Sequence, residues 1–223
     1  MNFRFHDTVY IQIGDAELSG ELILPDKTRS LVLFSHGSGS SRFSPRNNFV
    51  AKKLHEQNTG TFLFDLLTVR EDQVYSNRFD IDLLTRRLIH ITKYVTSQQD
   101  FADLRLGYFG ASTGAASALK AAAALTELIG AVVSRGGRPD LAIPEISKVQ
   151  APTLLIVGSL DYEVIRLNRK AYDLMRCEKR IEKIEGATHL FEEPGTLNLA
   201  AQAASNWFTT HLAASITKNM NVL

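Results

Sequence analysis

The chain has 223 residues, enough for one ordinary α/β domain with a substantial core. Its 25 Lys and Arg against 24 Asp and Glu leave a formal charge of +1, which excludes the electrostatic footprint of a nucleic-acid or anionic-membrane binder. Cys177 is the only cysteine, which excludes an internal disulfide or a multi-thiolate zinc site; with no apolar run of membrane-spanning length and no signal-peptide pattern, a cytoplasmic protein is expected.

Thr8 to Ile13 alternates like a strand, Gly14-Asp15 supplies a turn, and Glu17 to Leu24 resumes the alternation until Pro25 stops it. An N-terminal antiparallel hairpin is predicted. The apolar run Leu31 to Phe34 is followed by His36-Gly37-Ser38-Gly39 and by helical spacing from Asn47 to Gln57. Thr61 to Phe64 reads as a buried strand, and Ile81 to Tyr94 as an amphipathic helix with Leu83, Leu84, Leu88 and Ile91 on one face. Leu104 to Phe109 is the next strand, and the Ala-rich stretch from Gly114 to Leu128 favours helix.

Ile129 to Ser134 and Thr153 to Val157 are further strand-length runs, joined through residues 141–149 by a connection too short for a cap domain. Glu163 to Met175 predicts a helix, Arg180 to Ile184 a last strand, and Leu197 to Leu212 a closing helix with Leu199, Trp207 and Phe208 on its apolar face. Strands alternating with helices call for a mostly parallel sheet covered on both faces, here with the hairpin at its beginning. The expectation is one domain over residues 1–223, its tail fraying after Ala213.

Gly110-Ala111-Ser112-Thr113-Gly114 matches G-x-S-x-G between a strand and a helix, the context in which a serine is lifted above the sheet edge as a nucleophile. The bland alternative is a Gly-rich turn with a serine capping the helix. A serine hydroxyl needs a base to take its proton and a carboxylate to orient that base, in the chain order Ser, acid, His. Among six histidines, His189 follows the last strand in a loop, whereas His211 lies inside the closing helix. Asp161 ends the loop after the Thr153 strand and is the expected acid; capping the following helix is its alternative role.

The oxyanion donors expected are the backbone N–H groups of Thr113 and of Ser38 in the Gly-rich loop, with His36 structural. Arg135, Arg138 and Arg42 stand near these loops and are candidate substrate-binding residues for a carboxylate or phosphate; pairing with Asp140 or with backbone is the alternative. The chemistry needs neither cofactor nor metal. It requires a neutral imidazole at position 189, so activity should decline on acidification.

The segments HGSGSSR from His36, GYFGASTGAA from Gly107, VVSRGGRPDLA from Val132, APTLLIVGSLD from Ala151 and GATHLFEEPG from Gly186 resemble the α/β-hydrolase superfamily and, within it, small capless dienelactone-hydrolase-like enzymes. The resemblance spans essentially the whole chain. It implies the α/β-hydrolase fold and hydrolysis of a small ester or related acyl bond through Ser112, His189 and Asp161. True dienelactone hydrolases use a cysteine as nucleophile, whereas this chain has Ser112, and Cys177 is expected on a helix far from it. Similar domains occur fused to a phosphoribosyltransferase in some bacterial proteins; nothing here resembles that partner, so a stand-alone form is expected.

The same residues serve a lactone or thioester hydrolase or an acyltransferase equally well, because the fold does not set the substrate. A catalytically silent hydrolase fold acting as a binding module is the reading from another class, and the intact Ser, Asp and His argue against it. The expected partner is a small ester-like substrate at an open, shallow site, unless a homodimer covers it; neither nucleic acid nor membrane is expected.

Overall fold

The computed structural model describes residues 2–213. The predicted hairpin is present as β1 (Phe3–Ile13) and β2 (Ala16–Pro25), turning at Gly14 with φ +60°. The remaining strands are β3 (Ser30–Ser35), β4 (Gly60–Phe64), β5 (Arg105–Ala111), β6 (Ile129–Arg135), β7 (Thr153–Gly158) and β8 (Lys179–Ile184). They form one eight-stranded sheet in the order β1-β2-β4-β3-β5-β6-β7-β8. β1 with β2 and β2 with β4 are antiparallel, and every later pair is parallel. The central strands β3 to β7 read as continuous apolar runs because helices bury both their faces.

One face packs against α1 (Pro45–Glu56) and α7 (Thr196–His211), through Val50, Leu54, Ala200, Ala204 and Phe208. The other packs against α3 (Ile81–Ser97), α4 (Thr113–Ala124) and α6 (Tyr162–Leu174), where Leu84, Leu88, Ile91, Leu119 and Ala171 lie buried. α7 differs from expectation on one position. Leu199 is 54% exposed, and the buried stripe runs instead through Ala200, Ala201, Ala204 and Phe208, small residues that let the helix sit close to the sheet. α4 ends at Ala124, four residues before the Ala-rich stretch predicts. Cys177 lies in the turn between α6 and β8, half-buried, not on a helix. The expected fraying tail falls outside the described residues.

The sequence reading left residues 65–80 without structure, and they form a short helix, α2 (Val69–Asp72), and a 3₁₀ turn over Tyr75–Phe79. A capping box starts α2: Thr68 Oγ1 accepts from the Glu71 N–H, and the Glu71 carboxylate accepts from the Thr68 N–H. Glu71 also receives a 2.6 Å bond from Arg87 of α3, which ties the segment to the body of the protein. Residues 139–149 hold a 3₁₀ turn (Pro139–Ala142) and the short α5 (Ile143–Ile146), with no room for a cap domain.

His55 on α1 is buried, its Nε2 lying 2.8 Å from Thr61 Oγ1, and burial pushes its pKa down to about 4. The fold therefore holds this imidazole neutral, whereas the unfolded chain protonates it near the ordinary value of about 6.5. The resulting stability is fully present above pH ~6.5 and is lost as the pH falls through 4, about 3 kcal/mol in all. Urea unfolding at pH 7.5 and 4.5 should show His55→Gln losing less stability on acidification than the wild type. An identical loss in both proteins would assign the acid sensitivity elsewhere.

Candidate active site

Ser112 stands at the turn from β5 into α4 with φ 51° and ψ −122°, a region that only glycine occupies without strain. Its backbone is over-determined. The Ser112 N–H donates to the Arg135 carbonyl at 3.2 Å, and its own carbonyl accepts from the N–H groups of Ala115 and Arg138 at 3.1 and 3.0 Å. Its side chain makes no capping bond, so the helix-capping role is excluded. The motif glycines permit the turn because a Cβ on Gly110 would lie 2.4 Å from Ala115 Cα, and one on Gly114 would lie 2.2 Å from the Ser35 carbonyl.

Asp161 occupies the N-cap position of α6, but its side chain makes no capping bond there either. Its Oδ2 lies 2.7 Å from His189 Nδ1, and since a carboxylate only accepts, Nδ1 carries the proton and Nε2 is left with its lone pair. The two loops are stitched together by bonds from Ser159 N–H to the Ile184 carbonyl and from Leu160 N–H to the Ala187 carbonyl, at 2.9 and 3.0 Å. Glu193 binds both the N–H and the hydroxyl of Thr188 and so steadies the His189 loop.

Ser112 and His189 line one cavity of about 250 Å³, together with Ser38, Asn47, Arg46 and Arg135. A larger groove of about 600 Å³ between β8 and α7 contains none of the candidate residues. The Thr113 N–H, at the start of α4, has no partner among the described residues. The Ser38 N–H, by contrast, donates to Thr113 Oγ1 at 2.9 Å, so this amide is already engaged. His36 anchors the loop. Its Nδ1 donates to the Gly37 carbonyl at 3.0 Å while Nε2 accepts from Leu66 N–H at 3.1 Å, and burial lowers its pKa, in keeping with a neutral structural imidazole.

The three candidate substrate arginines separate. Arg138 is paired in bidentate fashion with Asp140, both bonds 2.8 Å, and Arg42 is paired with Asp65. Neither lines the Ser112 cavity, because each is neutralised by a carboxylate close to its own loop. Arg135 alone does. Burial pushes its pKa down to about 10, and among the described residues its guanidinium makes one hydrogen bond, to Asn47 Oδ1 at 3.3 Å. Two cavity residues lay outside the sequence reading: Arg46, which bonds Glu192 at 3.2 Å across the mouth, and Asn47. Their signal was Ser44-Pro45, a cap followed by a proline suited to the first helical position, directly after the Gly-rich loop.

No protein-family model matches the chain. A Mycobacterium tuberculosis protein provisionally named a phosphoribosyl transferase is 50% identical over 206 residues, 92% of this chain and 46% of the relative. The chain thus spans about half the length of the curated relatives it matches. Among solved structures, a dienelactone hydrolase from Anabaena variabilis is 48% identical with a TM-score of 0.90, over 93% of this chain and 98% of that one. Est1E from Butyrivibrio proteoclasticus superposes with a TM-score of 0.80 at 16% identity, over 93% of this chain and 99% of that one, a likeness of fold.

Proposed function

This chain belongs to the dienelactone-hydrolase family of α/β-hydrolases, and on that premise we propose that it is a serine esterase acting through Ser112, His189 and Asp161. The observation that carries the reading is the 2.7 Å contact between His189 and Asp161, 28 residues apart, in the same site as a strained Ser112. Strain of this kind persists only where surrounding bonds enforce it, and both bland roles, capping by Ser112 and capping by Asp161, are absent.

In the proposed reaction Ser112 Oγ attacks the ester carbonyl carbon while its proton passes to His189 Nε2. The imidazolium so formed is stabilised by Asp161, which keeps Nδ1–H in place. Negative charge on the carbonyl oxygen is held by the Thr113 N–H at the positive end of α4. The Ser38 N–H joins it by exchanging Thr113 Oγ1 for the oxyanion. Collapse expels the alkoxide, which takes the proton from Nε2, and a water activated by the same nitrogen then releases the acyl group and restores Ser112. Arg135 is the substrate-binding arginine; Arg138 and Arg42 are not assigned that role. The phosphoribosyl transferase name attaches to a relative twice as long and is not carried over.

A fluorophosphonate probe tests the reading. The wild type should be labelled stoichiometrically, Ser112→Ala not at all, and His189→Ala at least a hundredfold more slowly. Undiminished labelling of the Ser112→Ala protein would remove the serine from its role.

A further inference from the structure

We propose that the cavity beside Ser112 binds a phosphate group of the substrate, held between Arg135 and the first turn of α1. For its purpose the proposal rests on the esterase reading; its geometry stands apart from it. Arg135 is only 8% exposed, yet among the described residues no carboxylate pairs with it. Its Nε and Nη1 are buried without a partner, and its guanidinium lies 5.9 and 5.8 Å from the ring centres of Phe109 and Phe191. A buried cation left in this state is costly, and an anion seated against the guanidinium would offset that cost.

The second observation comes from α1. This helix of 12 residues presents its N-cap Ser44, its second residue Arg46 and its third residue Asn47 to the same cavity. The Arg46 N–H has no acceptor among the described residues. A helix N-terminus carries a partial positive charge and unpaired N–H groups, which together attract anions. Here that positive end and the buried Arg135 converge, while the Arg46 side chain is paired with Glu192 at the mouth. The nearby carboxylates are spent elsewhere: Glu192 on Arg46 at the mouth, Asp161 on His189.

The distribution of donors selects phosphate over carboxylate. Nε and Nη1 belong to different edges of the guanidinium plane, so a single oxyanion, planar or tetrahedral, seats two oxygens on one edge. The Ser40 and Ser44 hydroxyls and the α1 N-terminus add donors from further directions. A carboxylate seated on one guanidinium edge has no oxygen left for these donors, whereas a phosphate seated on the same edge keeps a further oxygen for the serine hydroxyls and the Arg46 N–H.

Thermal unfolding measures this without reference to turnover. Inorganic phosphate at 20 mM should raise the wild-type Tm by about 4 °C over chloride of equal ionic strength, and succinate by less than a quarter of that. Phosphate should also compete with p-nitrophenyl acetate hydrolysis. Asn47→Asp sets a carboxylate against Arg135 with little change of shape, and should weaken phosphate binding at least tenfold; Arg135→Met should do the same. A Tm response to succinate equal to that of phosphate, an unaltered affinity in Asn47→Asp, or phosphate binding without competition would each overturn the proposal. Should Ser112 escape the fluorophosphonate probe while phosphate still raises the Tm, the esterase reading falls and the anion site remains.

Discussion

Alanine at position 112 is expected to lower kcat/KM for a small neutral ester about a million-fold, and asparagine at position 161 alone about ten-thousand-fold. The two differ because they remove different things. Ser112→Ala deletes the atom that forms the acyl-enzyme, leaving only the oxyanion donors and the binding of substrate. Asp161→Asn keeps every heavy atom in place but can turn an amide N–H toward Nδ1, which moves the imidazole proton to Nε2 and takes away the base. Asp161 makes no capping bond to α6, so asparagine should leave the fold intact, with a Tm within about 2 °C of wild type. The double variant should be no slower than Ser112→Ala, since the residues act as one unit. Turnover of Asp161→Asn within tenfold of wild type would mean that a different group orients His189.

Gly114→Ala is the largest expected structural effect. A Cβ there would lie 2.2 Å from the Ser35 carbonyl oxygen, 2.4 Å from that of His36 and 2.7 Å from the Ser35 carbonyl carbon. All three are backbone atoms, and β3 is locked between β4 and β5, so nothing flexible can give way. Overpacking against a fixed backbone should destabilise the protein by more than about 3 kcal/mol, a loss of about 10 °C in Tm for a chain of this size. Gly186→Ala is the comparison, because its Cβ would meet nothing within 4 Å and only the strain of φ +73° is added. If Gly114→Ala melted no lower than Gly186→Ala, close packing of α4 on the loop after β3 would not explain the second motif glycine.

The order of strands and helices was legible because each β-α unit carries its own local signal: an apolar run, glycine-containing punctuation, then helical spacing. The elbow was legible for the same reason, since five consecutive residues specify it. His189 and Asp161 were legible through chain order and strand ends, features of topology that need no distances. Residues 65–80 carry a capping box, Thr68-Val69-Arg70-Glu71, but no periodic pattern to announce a helix. The helix it starts is one turn long, too short for periodicity; the pair of Glu71 with Arg87 of α3, 16 residues on, holds it down. The role proposed for Arg135 depends on an absence. That Arg138 and Arg42 find carboxylates while Arg135 finds none is a fact of three dimensions, and no spacing in the chain announces it.

The backbone at Ser112 bears on the history of the chain. At φ 51° and ψ −122° glycine would be the more comfortable residue, by about 1–3 kcal/mol. Selection for stability alone therefore pushes this position away from serine. A lineage released from the need for turnover would gain robustness from its first substitution there, while one that retains the hydroxyl keeps accepting a lasting handicap in folding. Serine kept at this positive-φ turn is what continued use of its hydroxyl would predict.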